Sequence, residues 1–264
     1  MKQPFAIVTD TGHNIPETVV QGLDVQEVPF TINFGVQGSV EDGVLEMEEF
    51  AGMLDRYGKG EGYPTTAAPS PGRFAEAFRR CIAAGQSRIL AITISSALSK
   101  TYESALQGAE LVREEHPEAE IEVADSQTGT MAEGFLVIEA AKARDSGLSL
   151  AQAKRLVEEL STRLRFLATF ETTKYLLKSG RVRSIQHLLS SVLSIRPIIS
   201  LRGGAVILFD RVRGRMDKAI ESIVEEVRKT RDLGRISVIE GMAPDLKEAL
   251  IERLPRALNV TREQ

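Results

Sequence analysis

Ile89-Leu90-Ala91-Ile92-Thr93-Ile94, followed at once by Ser95-Ser96-Ala97-Leu98-Ser99, is the stretch on which the fold turns. The apolar run has the length and β-branched content of a strand buried on both faces. The hydroxyl-rich loop behind it leads into a helix expected to begin near Thr101. The same order recurs twice. Phe5-Ala6-Ile7-Val8 runs into the polar Thr9-Asp10-Thr11-Gly12 and a helix signal at Pro16-Glu17. Ile121-Glu122-Val123-Ala124 runs into Asp125-Ser126-Gln127-Thr128-Gly129 and a further helical pattern. Strand, loop and helix in alternation predict an α/β fold whose parallel sheet is covered on both faces, with right-handed crossovers.

Outward from there the rhythm changes. Two consecutive helices are expected, Ala132 to Arg144 and Ala151 to Leu164, the second capped by Ser149. A lobe boundary near residue 160 follows, giving a parallel-sheet lobe over 1–160 and a second α/β lobe over 161–264. The second lobe should hold a strand at Phe166–Phe170, helical stretches to about Leu193, and a hairpin from Ile195 through Arg202-Gly203-Gly204 to Phe209. A helix from Gly214 to about Thr230, a strand at Ile236–Ile239 and a helix from Pro244 to Leu254 complete it.

Composition narrows the function classes. With 42% hydrophobic and 27% charged residues over 264 positions, the chain can bury a large core. A net charge of −4 without a basic face argues against nucleic acid as a partner. The single cysteine, Cys81, lies at helical spacing with Phe74, Phe78 and Ile82, which suits core packing in a reducing compartment. The opening residues lack the pattern of a signal peptide, and no apolar stretch approaches the roughly 20 residues of a membrane span. A cytoplasmic location is the expectation.

Ligands of open parallel sheets bind outside the carboxyl ends of the strands, so the polar loops are the candidate site. Thr65, Thr66 and Ser70 precede a helix whose first position is assigned to Pro71, and Ser95, Ser96 and Ser99 precede Thr101. By spacing alone, helix capping is the weightier reading of these hydroxyls. The second is an oxyanion site, in which neutral donors and helix amino ends receive a carboxylate or phosphate. Arg181, Arg183, Arg211, Arg213 and Arg215 cluster beside Gly180 and Gly214, as solvated surface or as an anion or partner contact. His13, His116 and His187 have no neighbours at metal-ligand spacing, and neither a dinucleotide glycine motif, a P-loop nor a serine elbow occurs. A metal or nucleotide cofactor is therefore not expected.

Five segments, in order, resemble the DegV family of bacterial fatty-acid-binding proteins, over nearly the whole chain. They are Ile7-Val8-Thr9-Asp10-Thr11, Thr65-Thr66-Ala67-Ala68-Pro69-Ser70-Pro71, Ile94-Ser95-Ser96-Ala97-Leu98-Ser99-Lys100-Thr101-Tyr102, Tyr175-Leu176-Leu177-Lys178-Ser179-Gly180-Arg181-Val182, and Leu193-Ser194-Ile195-Arg196-Pro197-Ile198-Ile199 with the later Arg211-Val212-Arg213-Gly214. The third is the most specific. The resemblance implies a three-layer parallel-sheet lobe, a two-layer mixed-sheet lobe and an acyl tunnel near their junction. It also implies a long-chain fatty acid such as palmitate or stearate, its carboxylate held by Thr65 or Thr66 and by Ser95 or Ser96. Asp10, Arg181 and Arg213 become candidates for the head group or for contact with a fatty acid kinase, to which the carrier presents its acid for acyl-phosphate formation and phospholipid synthesis. No catalysis by this chain itself is implied.

Thr66 stands where the family usually has serine, and Lys100 and Ser179 where it has glycine. The family's G-T-H-x-G-P-G segment, whose histidine is associated with the phosphorylation step, does not occur before Thr261-Arg262-Glu263-Gln264. A short chain and a member that binds lipid without presenting it both stand open. Two other readings of the crevice remain: an enzyme using Asp10 or Asp125 as base and Arg181 as anion clamp on a small carboxylated or phosphorylated substrate, and an interaction protein with a structural acyl filler.

Overall fold

The protein is described by a computed structural model covering residues 5–35, 38–45, 47–57, 63–186 and 195–258. The chain divides into two compact units, one of Met1–Arg165 with Gly203–Ala205, the other of Phe166–Arg202 with Val206–Gln264.

The first unit is built on a four-stranded parallel sheet. Its strands are β1 (Ala6–Asp10), β2 (Val25–Val28), β6 (Arg88–Thr93) and β7 (Glu120–Asp125), in the order β2-β1-β6-β7. Ile7 lies opposite Val25 and Leu90, and Thr93 opposite Asp125, so the strands end together at one edge. Every residue of β1 is buried, as expected of a strand covered on both faces. Ile7, Leu90 and Ile92 pack with Leu136, Val137 and Ala140 of α5 (Met131–Asp145) and with Val157 of α6 (Leu150–Arg163). Val8, Ile89 and Ala91 pack with Phe74 and Phe78 of α3 (Pro71–Ala83) and with Ala105 and Val112 of α4 (Thr101–Glu115). Alternate strand residues thus feed two apolar layers, and each buried phenylalanine contributes about 1.5–3 kcal/mol.

Local chemistry sets the helix starts. Ser70 Oγ accepts from Arg73 N at 3.4 Å with Pro71 in the first turn, and Ser149 forms a capping box with Gln152. Beside the main sheet, β3 (Thr31–Asn33) pairs antiparallel with β4 (Ser39–Glu41) and β5 (Thr65–Ala67) in a small sheet. Short helices α1 (Glu17–Val20) and α2 (Met47–Tyr57) lie in the same unit. Thr65 and Thr66, expected in a loop, therefore stand on a strand: β3 supplies the ladder that turns this stretch into an edge strand.

The second unit holds β8 (Leu167–Thr169), α7 (Lys174–Lys178), β9 (Ile195–Arg202), β10 (Ala205–Arg213), α8 (Met216–Arg228) and α9 (Pro244–Leu258). The strands run in the order β10-β9-β8, with β8 antiparallel to β9. Gly203 and Gly204, at φ +53° and +78°, form the two-residue turn that suits glycine at both positions. Ala219, Ile220 and Ile223 of α8 are buried, and this helix packs on β8 and β9.

Three expectations change here. Ile236–Ile239 alternates half-buried and exposed as a strand would, yet forms no strand among the described residues and joins no edge of the β10-β9-β8 sheet. The helix expected from Gly214 begins at Met216, since Gly214 takes φ +110°. The helical stretch expected after Phe170 amounts, among the described residues, to α7 and a 3-10 turn at Arg183–Ile185; His187, Leu193 and Ser194 lie outside those residues.

Candidate functional site

The carboxyl ends of β1, β6 and β7 carry the most heavily bonded polar cluster in the first unit. β1 ends on Asp10, fully buried, whose Oδ1 accepts from Gly12 N and whose Oδ2 accepts from Ile94 N, each at 2.8 Å. The second bond carries the β1–β6 pairing one step past the last strand residue. Burial pushes the Asp10 carboxyl up to about 6; the two N–H donors oppose the rise, with a lesser pull from His13 when that ring is charged. Next in the chain, Thr11 Oγ1 donates to Asp42 Oδ2 at 2.7 Å and accepts from Phe30 N at 3.3 Å. This ties the small sheet to the exit of β1, because Phe30 precedes β3.

His13 is a buried fastener. Its Nδ1 accepts from Ile15 N at 2.8 Å, which assigns the ring proton to Nε2, and Nε2 donates to Glu27 Oε1 at 2.7 Å. That hydrogen bond draws the Glu27 carboxyl below its ordinary range.

After β6 the chain wraps around its own hydroxyls. Ser95, fully buried, donates from Oγ to the carbonyl of Gly204 at 2.9 Å and accepts from Ala97 N at 3.1 Å. Ser96, half-buried, donates from Oγ to Asp125 Oδ2 at 2.6 Å, and its N–H reaches Asp125 Oδ1 at 3.2 Å. Asp125 also accepts from Gln127 N at 2.9 Å, and Ser126 closes the next turn onto Thr128. Ser99 and Thr101 pair at 2.8 Å across the start of α4. Gln127 and Thr130 take φ +53° and +57°; for the β-branched Thr130, at ψ −153°, this costs of order 1–3 kcal/mol and accompanies many functional loops.

Glu133, in the first turn of α5, completes the cluster. It is fully buried, and among the described residues no N–H or hydroxyl group donates to either carboxyl oxygen, the Asp10 carboxyl being its hydrogen-bonding neighbour. Burial first, then the nearby negative charges of Asp10 and Asp125, hold its carboxyl well above the ordinary glutamate range. The sequence signal for it was a lone acid at the head of the apolar run Phe135-Leu136-Val137-Ile138. Periodicity reads such an acid as a favourable first-turn residue.

The structure thus brings Asp10, Ser95, Ser96 and Asp125 to one edge. Thr65 and Thr66 stand exposed on β5, opposite Asn33 and Ile32, so they recede in turn from the Phe30–Thr11 tie. Arg181 and Arg213 belong to the second unit. Arg181, exposed just beyond α7, donates from Nη1 to the Ser179 carbonyl at 3.1 Å, and Arg213 ends β10, also exposed. Among the described residues no three His, Cys, Asp or Glu side chains converge as metal ligands.

The family model described as "uncharacterised protein, DegV family" matches residues 4–263. The chain belongs to the DegV family. A DegV domain-containing protein of Streptococcus pyogenes serotype M3 is 33% identical over 254 residues, spanning 94% of this chain and 87% of its own. A DegV family protein from Thermus thermophilus, solved as a fatty-acid-binding structure, is 28% identical with a TM-score of 0.76 over 86% of this chain and 77% of that one. A stearic-acid-binding protein from Eubacterium ventriosum shares the fold at 23% identity, with a TM-score of 0.80 over 97% and 88% of the two chains. In this DegV chain the Ile94–Tyr102 motif is the loop that Asp10 and Asp125 hold from either side. The Thr65–Pro71 motif is an edge strand ending in a helix cap.

Proposed function

We propose that this DegV protein binds one long-chain fatty acid by its carboxylate and carries out no chemistry on it alone. The observation that carries the reading is the collection of hydroxyls at the carboxyl ends of parallel strands, in a fold shared with the Thermus thermophilus protein that binds fatty acid. Thr65 and Thr66 stand exposed on β5, and Ser96 donates once its Oγ turns from Asp125. The Ser95 hydroxyl is committed to Gly204, which assigns Ser95 to shaping the loop more than to donating. Asp10 and Asp125 spend their oxygens on donors of the loops around them, chiefly Ile94 and Ser96 after β6, which speaks for a binding site over one built around a free general base. Arg181 and Arg213 are assigned to the head group or to a partner kinase that makes the acyl phosphate.

Affinity comes from the tail. A 16-carbon acid removes about 14 methylenes from water at roughly 0.8 kcal/mol each, about 11 kcal/mol before association costs. Each neutral hydrogen bond adds only about 1 kcal/mol, so the hydroxyls chiefly fix orientation. Native mass spectrometry and solvent extraction of the purified protein should release one fatty acid per chain. A chain that neither carries nor takes up fatty acid would refute the proposal, and adding a fatty acid kinase with nucleotide tests the presenting role.

A further inference from the structure

We propose that Asp10 and Glu133 share a single proton and together position the Ile94–Ser96 loop, so that losing this proton weakens fatty-acid binding. The inference rests on the carboxylate-binding reading above and adds to it a positioning pair that touches no ligand.

Geometry comes first. Asp10 uses one oxygen on Gly12 N and the other on Ile94 N, so as an anion it has two donors. Glu133 has none, although no part of it reaches solvent. The two carboxyls border the same glycine: a methyl on Gly12 would lie 2.8 Å from Asp10 Oδ1 and 3.4 Å from Glu133 Oε2. A buried carboxyl without donors, set beside an anion with two, is stable as the neutral acid, which then supplies a donor to that anion. Asp125 from the end of β7 adds a second negative charge facing Glu133. Around Asp10 stand His13, itself bound to Glu27, and Asp42; among the described residues no lysine or arginine is a cause of the shift of either member of the pair.

The link to the ligand runs through one bond. Ile94 N–H is held by Asp10, and Ser95 and Ser96 follow it directly. When Glu133 ionises, two buried carboxylates and the half-buried Asp125 face one another with backbone and hydroxyl donors between them, and the Asp10–Ile94 clasp is the part able to yield. Glu133→Gln keeps size and a donor for Asp10 while removing the titrating proton, so Glu133→Gln and not an alanine change is the informative variant.

Titration with a fluorescent fatty acid between about pH 6 and about pH 9 should show wild type losing about fivefold or more in affinity relative to Glu133→Gln as pH rises. The ligand's own ionisation affects both proteins alike and cancels in the ratio. In ligand-free protein, the Ile94 amide resonance should follow the same titration in wild type and be flat in Glu133→Gln. A constant affinity ratio, or an Ile94 amide that does not titrate, overturns the pair. If neither protein binds fatty acid while Ile94 still titrates, the functional reading fails and the shared proton stands.

Discussion

Gly134, on α5 one residue beyond Glu133, sets a sharp test of how tightly the site is fixed to the core. A Cβ added there would lie 2.6 Å from the His13 carbonyl oxygen, 2.8 Å from Ile15 Cγ1 and 3.1 Å from Met131 Sδ. The methionine can move aside. The carbonyl cannot, because the His13 ring is held by Ile15 N and Glu27. α5 must therefore retreat from the turn after β1, and with backbone as the obstacle the overpacking cost falls in the upper part of the usual range, about 2–3 kcal/mol. Alanine recovers up to about 1 kcal/mol of helix propensity, leaving a net loss of about 1–2 kcal/mol for Gly134→Ala. For a chain of this size that lowers Tm by about 2–8 °C. Gly52→Ala in α2 is the control: nothing lies within 4 Å of its added methyl, so the same change should stabilise by about 0.5–1 kcal/mol. Urea denaturation followed by circular dichroism measures both. If Gly134→Ala matches or exceeds wild type while Gly52→Ala behaves as stated, the close approach of α5 is wrong.

Other consequences can be checked in parallel. With the Asp10 carboxyl raised from 3.8 to about 6, the folded state holds a proton that the unfolded state has released across that window; stability therefore falls as pH rises through it, by about 3 kcal/mol, and pH-dependent urea midpoints should show a shallower fall in Asp10→Asn. Ser149→Ala loses the capping box of α6 and should cost about 1 kcal/mol in thermal melts, whereas an unchanged Tm would remove the cap from the account. Burial pushes the Cys81 thiol up to about 11, so native protein should react with a thiol reagent far more slowly than urea-unfolded protein; equal rates would contradict its place in the core. Thr65→Ala with Ser96→Ala should weaken fatty-acid binding only moderately yet abolish turnover with a cognate kinase, and unimpaired turnover would dismiss both hydroxyls from the head-group role.

The parallel sheet was readable because β1 and β6 are buried on both faces, which leaves an unbroken apolar run in the sequence. β2, Val25-Gln26-Glu27-Val28, carries two polar residues, and β5 is exposed, so both owe their pairing to neighbours that local composition does not announce. Ile236–Ile239 errs the other way, with the alternation of a strand but no pairing among the described residues. At the candidate site, the position of Asp10, Asp125, Ser95 and Ser96 at the strand ends was legible because the strand-end rule names the loop before any side chain is placed. Glu133 was not, because burial of a first-turn acid is decided by what packs above it. His13 finds its partner in Glu27 across a turn and a helix, a pairing that no spacing rule contains.

The self-bonded loops after β6 and β7 have a thermodynamic corollary. Ser95, Ser96, Asp125 and Ser126 are already hydrogen-bonded in the free protein, Ser96 to Asp125, Ser95 to Gly204 and Ser126 to Thr128, so much of the rotamer entropy of the receptor side was surrendered during folding, before any guest arrives. Capture at this edge should then proceed in a single kinetic phase, free of a slow loop-ordering step. Its heat signature should be set by dehydration of the alkyl tail, with a negative heat-capacity change that grows with each added carbon.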